Sequence, residues 1–411
     1  MRIRNHHKAP AVIYSLTRTF ARQIFILWVI AACLNTSLGC ALQSSKPLRT
    51  TLPAESVRFQ FREVAMGCEM RIELFAQTSS QAQILARAAF DRVHSLDEVL
   101  SDYRASSQVG RLPTDAMKAF AISPDLCEAL EKSIRISRAT EGCFDATIGV
   151  SSQLWRQARK DGILPSTEAI ARANEMGGWD EITVDPCENH RDATIRFLRS
   201  GIRLDFGGIG KGIAAQAALD TLRSLGTSVA MCSLAGDIAC GDAPTGSDGW
   251  LIDVESGIEG VPSCRLVLHN QSVSTSGDES QHLDANGIRY SHVIDPRTGH
   301  AVTRRIAATV ICRDGAIADA LATALCVGGP ELLDRSTDIQ HALGDFQARV
   351  TEITSSGRES TTMTLTSGWN ALLAWNIIPR DQVSQLALAE AGQTAMKVAS
   401  DSSDLKGPLP K

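Results

Sequence analysis

An aspartate and a threonine stand four residues apart in the otherwise apolar run Ala318-Asp319-Ala320-Leu321-Ala322-Thr323. Residues at this spacing share one face of an α-helix. The pattern predicts that helix over residues 316–327, with Asp314 as N-cap and the pair Gly328-Gly329 at its end. Hard oxygen ligands on one helix face suit Mg²⁺, which keeps coordination positions for substrate phosphates. The alternative is an exposed polar stripe on a surface helix.

A glycine-rich loop, Asp205-Phe206-Gly207-Gly208-Ile209-Gly210-Lys211-Gly212, lies between a short strand-like stretch and a helical pattern at 213–225. Glycines let the backbone approach a ligand closely, and a helix N-terminus attracts phosphate. The spacing is neither that of a Walker loop nor that of the dinucleotide-binding fingerprint. A tight turn that packs a strand against a helix would use the same glycines.

A histidine precedes a turn in the segment Ser291-His292-Val293-Ile294-Asp295-Pro296-Arg297-Thr298-Gly299. The run from Asp295 to Gly299 has the residue types of a turn, since proline restricts the chain and glycine permits positive φ. His292 lies among hydroxyls and carboxylates, and an imidazole can act as a general base near neutral pH. A structural hydrogen-bonding role for His292 is the alternative.

The elements that must position these residues alternate strand pairs with packed helices, without a steady βαβ repeat. This alternation predicts an α+β fold. Helices are expected at residues 80–100, at 124–140 with Ser123 as N-cap, and over much of 154–177. Strands are expected at 57–61, 68–75, within 181–198, 229–241, 250–256, 264–269 and 306–312.

Taken together and in order, these segments resemble the FAD:protein FMN transferase family, also called ApbE-like flavin transferases. The resemblance begins at Met66-Gly67-Cys68 and continues through residues 100–107, 142–149, 205–212, 235–238, 272–277, 291–299 and 318–325. It covers about residues 58–375. The sequence departs from the family pattern at Cys68, which replaces a threonine, at 233–235, which replace Asn-x-Gly, and at Gly210, which replaces a common alanine.

The resemblance implies an ApbE-like fold with mixed or antiparallel sheets and packed helices. It also implies a Mg²⁺ ion held by Gly208, Asp319 and Thr323, with His292 as a base. Cleavage of a pyrophosphate needs the negative charge on its oxygens neutralised, and because a lysine beside the metal can do this, Lys211 is predicted as a second catalytic residue. The FAD contacts that the resemblance implies are Met66, Tyr103, Phe144, Asp145, Ala146, Asp205 and Lys211.

The activity implied by the resemblance is Mg²⁺-dependent transfer of FMN from FAD to a threonine or serine hydroxyl of an acceptor flavoprotein, with release of AMP. We predict that the chain is this enzyme. A Mg²⁺-dependent FAD pyrophosphatase that gives FMN and AMP is one alternative, and a non-catalytic flavin-binding lipoprotein is another. The presence of Asp319, Thr323 and His292 favours an enzyme over a carrier.

The N-terminus has the pattern of a bacterial lipoprotein signal. Arg18 and Arg22 precede an apolar run at 24–32, which is long enough for a signal peptide and short for a transmembrane helix. The run ends at Ala31-Ala32-Cys33, and Cys40 is a second candidate for lipidation. We predict a signal at 1–33, a tether at 34–55, the transferase domain at 56–380 and a partly disordered tail at 381–411. The catalytic body would then lie on the periplasmic side of a membrane, whereas an uncleaved anchor and a simple secretory signal are alternatives.

Composition excludes some other classes. The formal net charge of −5 gives no indication of nucleic-acid binding, so no nucleic-acid partner is predicted. None of the eleven cysteines forms a Cys-x-x-Cys pair, which argues against a zinc cluster.

Overall fold

The computed structural model describes residues 56–185, 192–258, 261–277, 281–354 and 360–374. The predicted signal, the tether, Cys33, Cys40 and the C-terminal tail lie outside the described residues. Among the helices that are described, none combines the length and apolar character needed to span a bilayer.

An antiparallel sheet of eight strands forms the centre of the described chain. Its strands are β1 (Val57–Ala65), β2 (Cys68–Ala76), β6 (Ala230–Leu234), β7 (Asp237–Cys240), β10 (Gln271–Gly277), β13 (Arg305–Cys312), β14 (Phe346–Thr354) and β15 (Ser360–Leu365). Their spatial order is β1-β2-β6-β7-β10-β13-β14-β15. Seven of the eight residues of β13 are buried, because both faces of the sheet are covered there.

The described chain also contains three smaller sheets. They contain β3 (Ala119–Ala121), β4 (Ile182–Asp185) and β5 (Thr194–Phe197); β8 (Trp250–Val254) and β9 (Cys264–Leu268); and β11 (His282–Ala285) and β12 (Ile288–Ser291). Trp250 and Trp369 belong to the second hydrophobic core, which lies between the β8–β9 hairpin and the central sheet.

The helices are α1 (Ser79–Leu100), α2 (Gln108–Arg111), α3 (Pro124–Ala139), α4 (Gly149–Asp161), α5 (Thr167–Asn174), α6 (Gly210–Ser224), α7 (Gly315–Gly328) and α8 (Ser336–Leu343). Short 3₁₀ turns occur at Trp179–Glu181, Pro330–Arg335 and Trp369–Leu372. Helix α7 packs against β10, β13 and α6, while α6 also packs against α1. Since α7 is rich in alanine and glycine, its backbone can approach these neighbours closely.

The antiparallel sheets and packed helices confirm the predicted α+β class. The helices expected at 80–100, 124–140 and 316–327 are present with ends within one residue of the prediction. Their caps also form as expected: the Ser123 hydroxyl accepts the Leu126 amide at 3.3 Å, and the Asp314 carboxylate accepts the Ala316 amide at 2.9 Å.

Two elements differ from the prediction. Helix α6 begins at Gly210 rather than at residue 213, so Lys211 and Gly212 belong to its first turn. The region 229–241 is not one strand but the hairpin β6–β7, which turns at Ala235 and Gly236. Both turn residues have positive φ, 49° and 96°, as a tight hairpin requires. An alanine rarely takes this conformation, so the sequence pattern did not predict the turn.

Candidate active site

A cleft of about 810 Å³ opens where the ends of several elements meet. Its walls come from the β1–β2 turn, the loop before α6, the first turn of α6, the end of β10, the segment after β12, and one face of α7. Ten of the eleven candidate residues line it, and Ala146 is the exception. A cavity of this size is sufficient for a nucleotide-sized ligand.

Two hairpin turns form one edge of the cleft. Met66 and Gly67 connect β1 to β2, and Ala235 and Gly236 connect β6 to β7. Met66 and Ala235 both have a φ of 49°, in the left-handed region that L-residues enter at a cost of about 1–2 kcal/mol. The Ala235 amide donates to the carbonyl of Glu69 at 3.2 Å, so the two turns lie side by side.

Helices α6 and α7 meet at two glycines. A Cβ on Gly212 would lie 2.1 Å from the carbonyl oxygen of Gly315 and 2.7 Å from Cβ of Asp319. Because Gly212 has no side chain, its amide can donate to Oδ2 of Asp319 at 3.0 Å. The glycine loop predicted from the sequence therefore brings the start of α6 into direct contact with the aspartate of α7.

Two buried carboxylates and a half-buried lysine lie together on the cleft floor. Nζ of Lys211 is 2.8 Å from Oδ2 of Asp237 and 3.6 Å from Oδ2 of Asp319, and Ser274 donates to the other oxygen of Asp237. Burial and the charge of Asp237 raise the pKa of Asp319 to about 7, against the opposing effect of Lys211. Although burial opposes its charge, Asp319 and Asp237 raise the pKa of Lys211 above its usual value. Lys211 is therefore a charged ammonium at neutral pH.

Thr323 lies one helical turn beyond Asp319 on the same face of α7. Its hydroxyl is 3.2 Å from that of Ser276 at the end of β10. A Cβ on Gly208 would lie 3.1 Å from Oγ1 of Thr323, so the bare backbone of the loop passes directly beside this hydroxyl. The arrangement brings the three residues predicted as metal ligands to one side of the cleft.

The predicted donor set would be the carboxylate of Asp319, the hydroxyl of Thr323 and a backbone oxygen of the loop at Gly208. Across the part of the chain that the structure describes, no three His, Cys, Asp or Glu side chains come together as a metal cluster. Oxygen donors with few charges fit Mg²⁺, which binds through one or two carboxylates and keeps the rest of its sphere for water and phosphate. The space beside Gly208, which a Cβ would fill, fits the predicted use of its backbone.

His292 follows the last residue of β12 and is half-buried at the cleft. Its Nδ1 lies 3.2 Å from the carbonyl oxygen of Gln281, and its own amide donates to the same oxygen at 3.0 Å. A neutral imidazole that donates through Nδ1 has a free lone pair on Nε2. Burial and the positive charges of Arg159 and Lys211 lower the pKa of His292, although the bond to Gln281 opposes them. The imidazole of His292 is accordingly uncharged near pH 7, and its Nε2 can accept a proton.

An arginine that was not predicted holds the opposite wall together. Arg156 on α4 donates through Nη2 to Asp102 and, at 2.7 Å, to Asp205. Its guanidinium also lies 4.3 Å from the centre of the Tyr103 ring. Asp205 in turn accepts the Gly207 amide at 2.7 Å, which fixes the start of the glycine loop. Tyr103 is 77% exposed, so the face of its ring away from Arg156 is open to the cleft.

The segment 144–146 contributes unequally to the site. Phe144 and Asp145 line the cleft, and both are buried. Oδ1 of Asp145 accepts the amide and the hydroxyl of Thr147, each at 2.7 Å, so this carboxylate also stabilises the turn before α4. Burial raises the pKa of Asp145. Ala146 is buried and does not line the cleft, and its carbonyl accepts the Asp205 amide at 2.8 Å. Its predicted contact with FAD stays a prediction.

Sequence reasoning missed two functional candidates, Asp237 and Arg156. Asp237 lies in one of the segments that carry the family resemblance, and that position was the available signal for it. Arg156 had no local signal, because its partners Asp102 and Asp205 are 54 and 49 residues away in the chain.

The α+β fold and a cleft with a half-buried lysine, buried carboxylates and a neutral histidine are the features of an enzyme that acts on a phosphate-containing substrate. The family model described as the ApbE family matches residues 66–342. The chain belongs to the ApbE family.

Curated relatives and solved structures agree with this family. A protein of Vibrio cholerae named FAD:protein FMN transferase is 27% identical over 287 residues, which cover 68% of this chain and 83% of that protein. A protein of Haemophilus influenzae with the same name is 28% identical, over 56% of this chain and 69% of that protein. The structure described as a flavin transferase ApbE from Vibrio cholerae superimposes with a TM-score of 0.65 at 25% identity, over 77% of this chain and all of that chain. A Thermotoga maritima ApbE protein, at 23% identity and a TM-score of 0.66, shares the fold over 77% of this chain and 99% of its own.

Proposed function

We propose that the protein is an FAD:protein FMN transferase that uses Mg²⁺ to move FMN from FAD onto a threonine or serine hydroxyl of an acceptor protein. The observation that carries this proposal is the meeting of Asp319, Lys211, Thr323 and His292 in one cleft of a chain that belongs to the ApbE family. Curated relatives with the transferase name support the same reaction.

Asp319, Thr323 and the backbone of Gly208 would hold the metal. When bound, Mg²⁺ would polarise phosphoryl oxygens and neutralise charge that develops on them. The half-buried ammonium of Lys211 adds a positive charge on the same cleft floor, and its ion pair with Asp237 keeps that ammonium oriented.

The flavin nucleotide would bind along the wall that Arg156 organises. The open face of the Tyr103 ring is available to stack on an aromatic ring of the substrate. Met66 and Phe144 add apolar surface to the same cleft. Asp205, which Arg156 and the Gly207 amide hold in place, is available to accept hydrogen bonds from the substrate.

In the proposed reaction the acceptor hydroxyl oxygen attacks the phosphorus of the FMN half of FAD. A new P–O bond joins FMN to the acceptor, and the bond from that phosphorus to the AMP oxygen breaks, so AMP leaves. The hydroxyl proton passes to Nε2 of His292, which the Gln281 carbonyl keeps in the tautomer with a free lone pair there.

The same proposal includes location. The basic residues before the apolar run at 24–32 and the small residues before Cys33 support export and lipidation. The acceptor would then be a flavoprotein domain on the periplasmic side of the same membrane.

The decisive experiment combines the purified protein with FAD, Mg²⁺ and a flavin-acceptor domain. Transfer predicts in-gel flavin fluorescence of the acceptor band and an equal amount of AMP. Release of free FMN without labelled acceptor would instead identify an FAD pyrophosphatase. Binding of FAD with neither product would identify a carrier and contradict the proposal.

A further inference from the structure

Arg159 lies on α4 one turn after Arg156, and both arginines line the cleft. Arg156 is paired with two carboxylates, whereas Arg159 makes no ion pair with any described residue. Nη1 of Arg159 is buried without a hydrogen-bond partner in the described chain. A buried guanidinium nitrogen without an acceptor is costly, and a ligand oxygen would remove that cost.

The other cations of the cleft are already neutralised. Arg104 pairs with Asp97 at 2.9 Å, Arg156 pairs with Asp102 and Asp205, and Lys211 pairs with Asp237 and Asp319. Burial and the like charge of Arg156 lower the pKa of Arg159, which nevertheless stays charged at neutral pH because an arginine titrates far above it. Among the described residues that line the cleft, Arg159 is therefore the cation with unused binding capacity.

Arg159 also acts on the place where the chemistry would occur. Its charge and that of Lys211 both lower the pKa of His292, so both cations lie close enough to influence the imidazole. Arg159, Lys211 and His292 all line the same cleft, so an anionic substrate bound there would share it with both positive groups. A guanidinium is suited to such a ligand, since its fork can donate two parallel hydrogen bonds to phosphoryl oxygens.

We propose that Arg159 is a phosphate-binding residue, whose guanidinium receives the anionic phosphoryl oxygens of the dinucleotide substrate. The inference rests on the proposed function for the identity of the substrate. The alternative is a purely structural role, in which Arg159 stabilises the C-terminal carbonyls of α4 because it lies in the last turn of that helix. Lys160 shares that last turn but is exposed and does not line the cleft, which makes it a matched control.

The first test measures binding without turnover. AMP and adenosine are titrated into Arg159→Gln, Lys160→Gln and the parent protein in the absence of acceptor. Loss of a charged hydrogen bond predicts AMP binding weaker by about 10-fold to 100-fold in Arg159→Gln, with adenosine binding unchanged. Lys160→Gln should match the parent. Equal weakening of AMP and adenosine, or no weakening of either, would overturn the proposal.

The second test separates this inference from the proposed function. If the parent protein transfers FMN, Arg159→Gln should raise the KM for FAD but not that for the acceptor, and Arg159→Lys should recover part of the loss. The acid limb of its pH–rate profile should also move to higher pH, because His292 loses a neighbouring positive charge. A raised KM for the acceptor alone would assign Arg159 to the acceptor and contradict the proposal. If the parent transfers nothing, the proposed function fails, and the AMP titration still decides the role of Arg159.

Discussion

Asp319 is almost completely buried, with 1% of its surface exposed, and it is also the proposed anionic ligand of a metal. Its Oδ2 accepts the Gly212 amide and lies near Lys211, so the carboxylate is positioned before any ligand binds. An asparagine at this position could still accept the hydrogen bond from the Gly212 amide, but it would remove the negative charge. A substitution of Asp319 by asparagine can therefore separate its structural role, which is to accept this hydrogen bond, from its proposed role as a metal ligand.

Asp319→Asn is expected to lower Mg²⁺-dependent FMN transfer by about 1,000-fold or more, since a catalytic metal contributes several kcal/mol to the transition state. The melting temperature should change little, because Lys211 retains Asp237. In-gel fluorescence of the acceptor and a thermal melt measure the two effects. Asp220→Asn on the exposed side of α6 is the control, and an unchanged rate in Asp319→Asn would contradict the metal assignment.

The raised pKa of Asp319 predicts how Mg²⁺ affinity depends on pH. A carboxyl that titrates at about 7 is mostly protonated below that pH, and the proton competes with the metal. Affinity should rise about tenfold per pH unit below this value and level off above it. Isothermal titration with Mg²⁺ across this range measures the effect. Affinity that stays flat through the range would show that the carboxylate is ionised throughout.

The pKa of His292 is shifted in the opposite direction from that of Asp319. Its pKa is lowered, so the imidazole is already neutral at a pH where an ordinary histidine is half charged. With Mg²⁺ saturating at every pH, transfer should therefore rise with pH and reach its plateau below about 6.5, the usual histidine value. His292→Ala should lower the rate by about 100-fold to 10,000-fold with little change in FAD affinity. His300→Ala, at an exposed position of the same segment, should have no effect.

At the scale of elements, the close approach of α6 and α7 holds the site together. Gly212→Ala would place a methyl group 2.1 Å from the Gly315 carbonyl, and we expect it to lower the free energy of unfolding by about 3 kcal/mol. Gly210→Ala, two residues earlier, meets nothing nearer than 3.7 Å and should be neutral or stabilising by about 0.5–1 kcal/mol. Urea denaturation of the two variants tests this contrast. Equal free energies of unfolding for the two variants would show that α6 and α7 can move apart without loss of stability, which would contradict the prediction.

Local signals explain which elements could be predicted. Helix α7 was predicted almost to the residue, because its cap at Asp314, its ligand spacing and its terminal glycines all lie within one short segment. The β6–β7 hairpin was missed, since its turn uses Ala235 in a conformation that alanine seldom adopts. Family resemblance supplied most of the candidate site, but it gave no role to Arg156 or Arg159. Their environment depends on contacts between segments far apart in sequence, which local spacing does not encode.

At the scale of the whole molecule, the described residues form the catalytic body, and the predicted boundaries at 33, 55 and 380 stay predictions. Residue 56 begins the described chain and β1 begins at Val57, so the predicted tether would join the body at an edge strand of the central sheet. Anchoring would restrict the enzyme to acceptors at the same membrane.

If the protein is exported as proposed, we expect it to fractionate with membranes through a lipidated Cys33, since two or more buried acyl chains give stable anchoring. Cys33→Ser should release the protein or block its processing, whereas Cys40→Ser should leave both unchanged. Mass spectrometry of the mature N-terminus identifies the modified residue. Lipidation at Cys40 would move the site, and an unmodified N-terminus in the soluble fraction would leave secretion alone.

The hydrogen bond from the Gly212 amide to Asp319 also gives the protein a built-in spectroscopic reporter. Glycine amides form a separate group in a nitrogen–proton correlation spectrum, and this one donates to the proposed metal-ligating carboxylate. Its chemical shift should follow protonation of Asp319 and should move again when Mg²⁺ draws charge from the acceptor oxygen. Its rate of exchange with deuterium would meanwhile report how often α6 and α7 separate. The resonance of this one amide would thus report protonation of Asp319, binding of Mg²⁺ and separation of α6 from α7. All three could be followed before substrate is added.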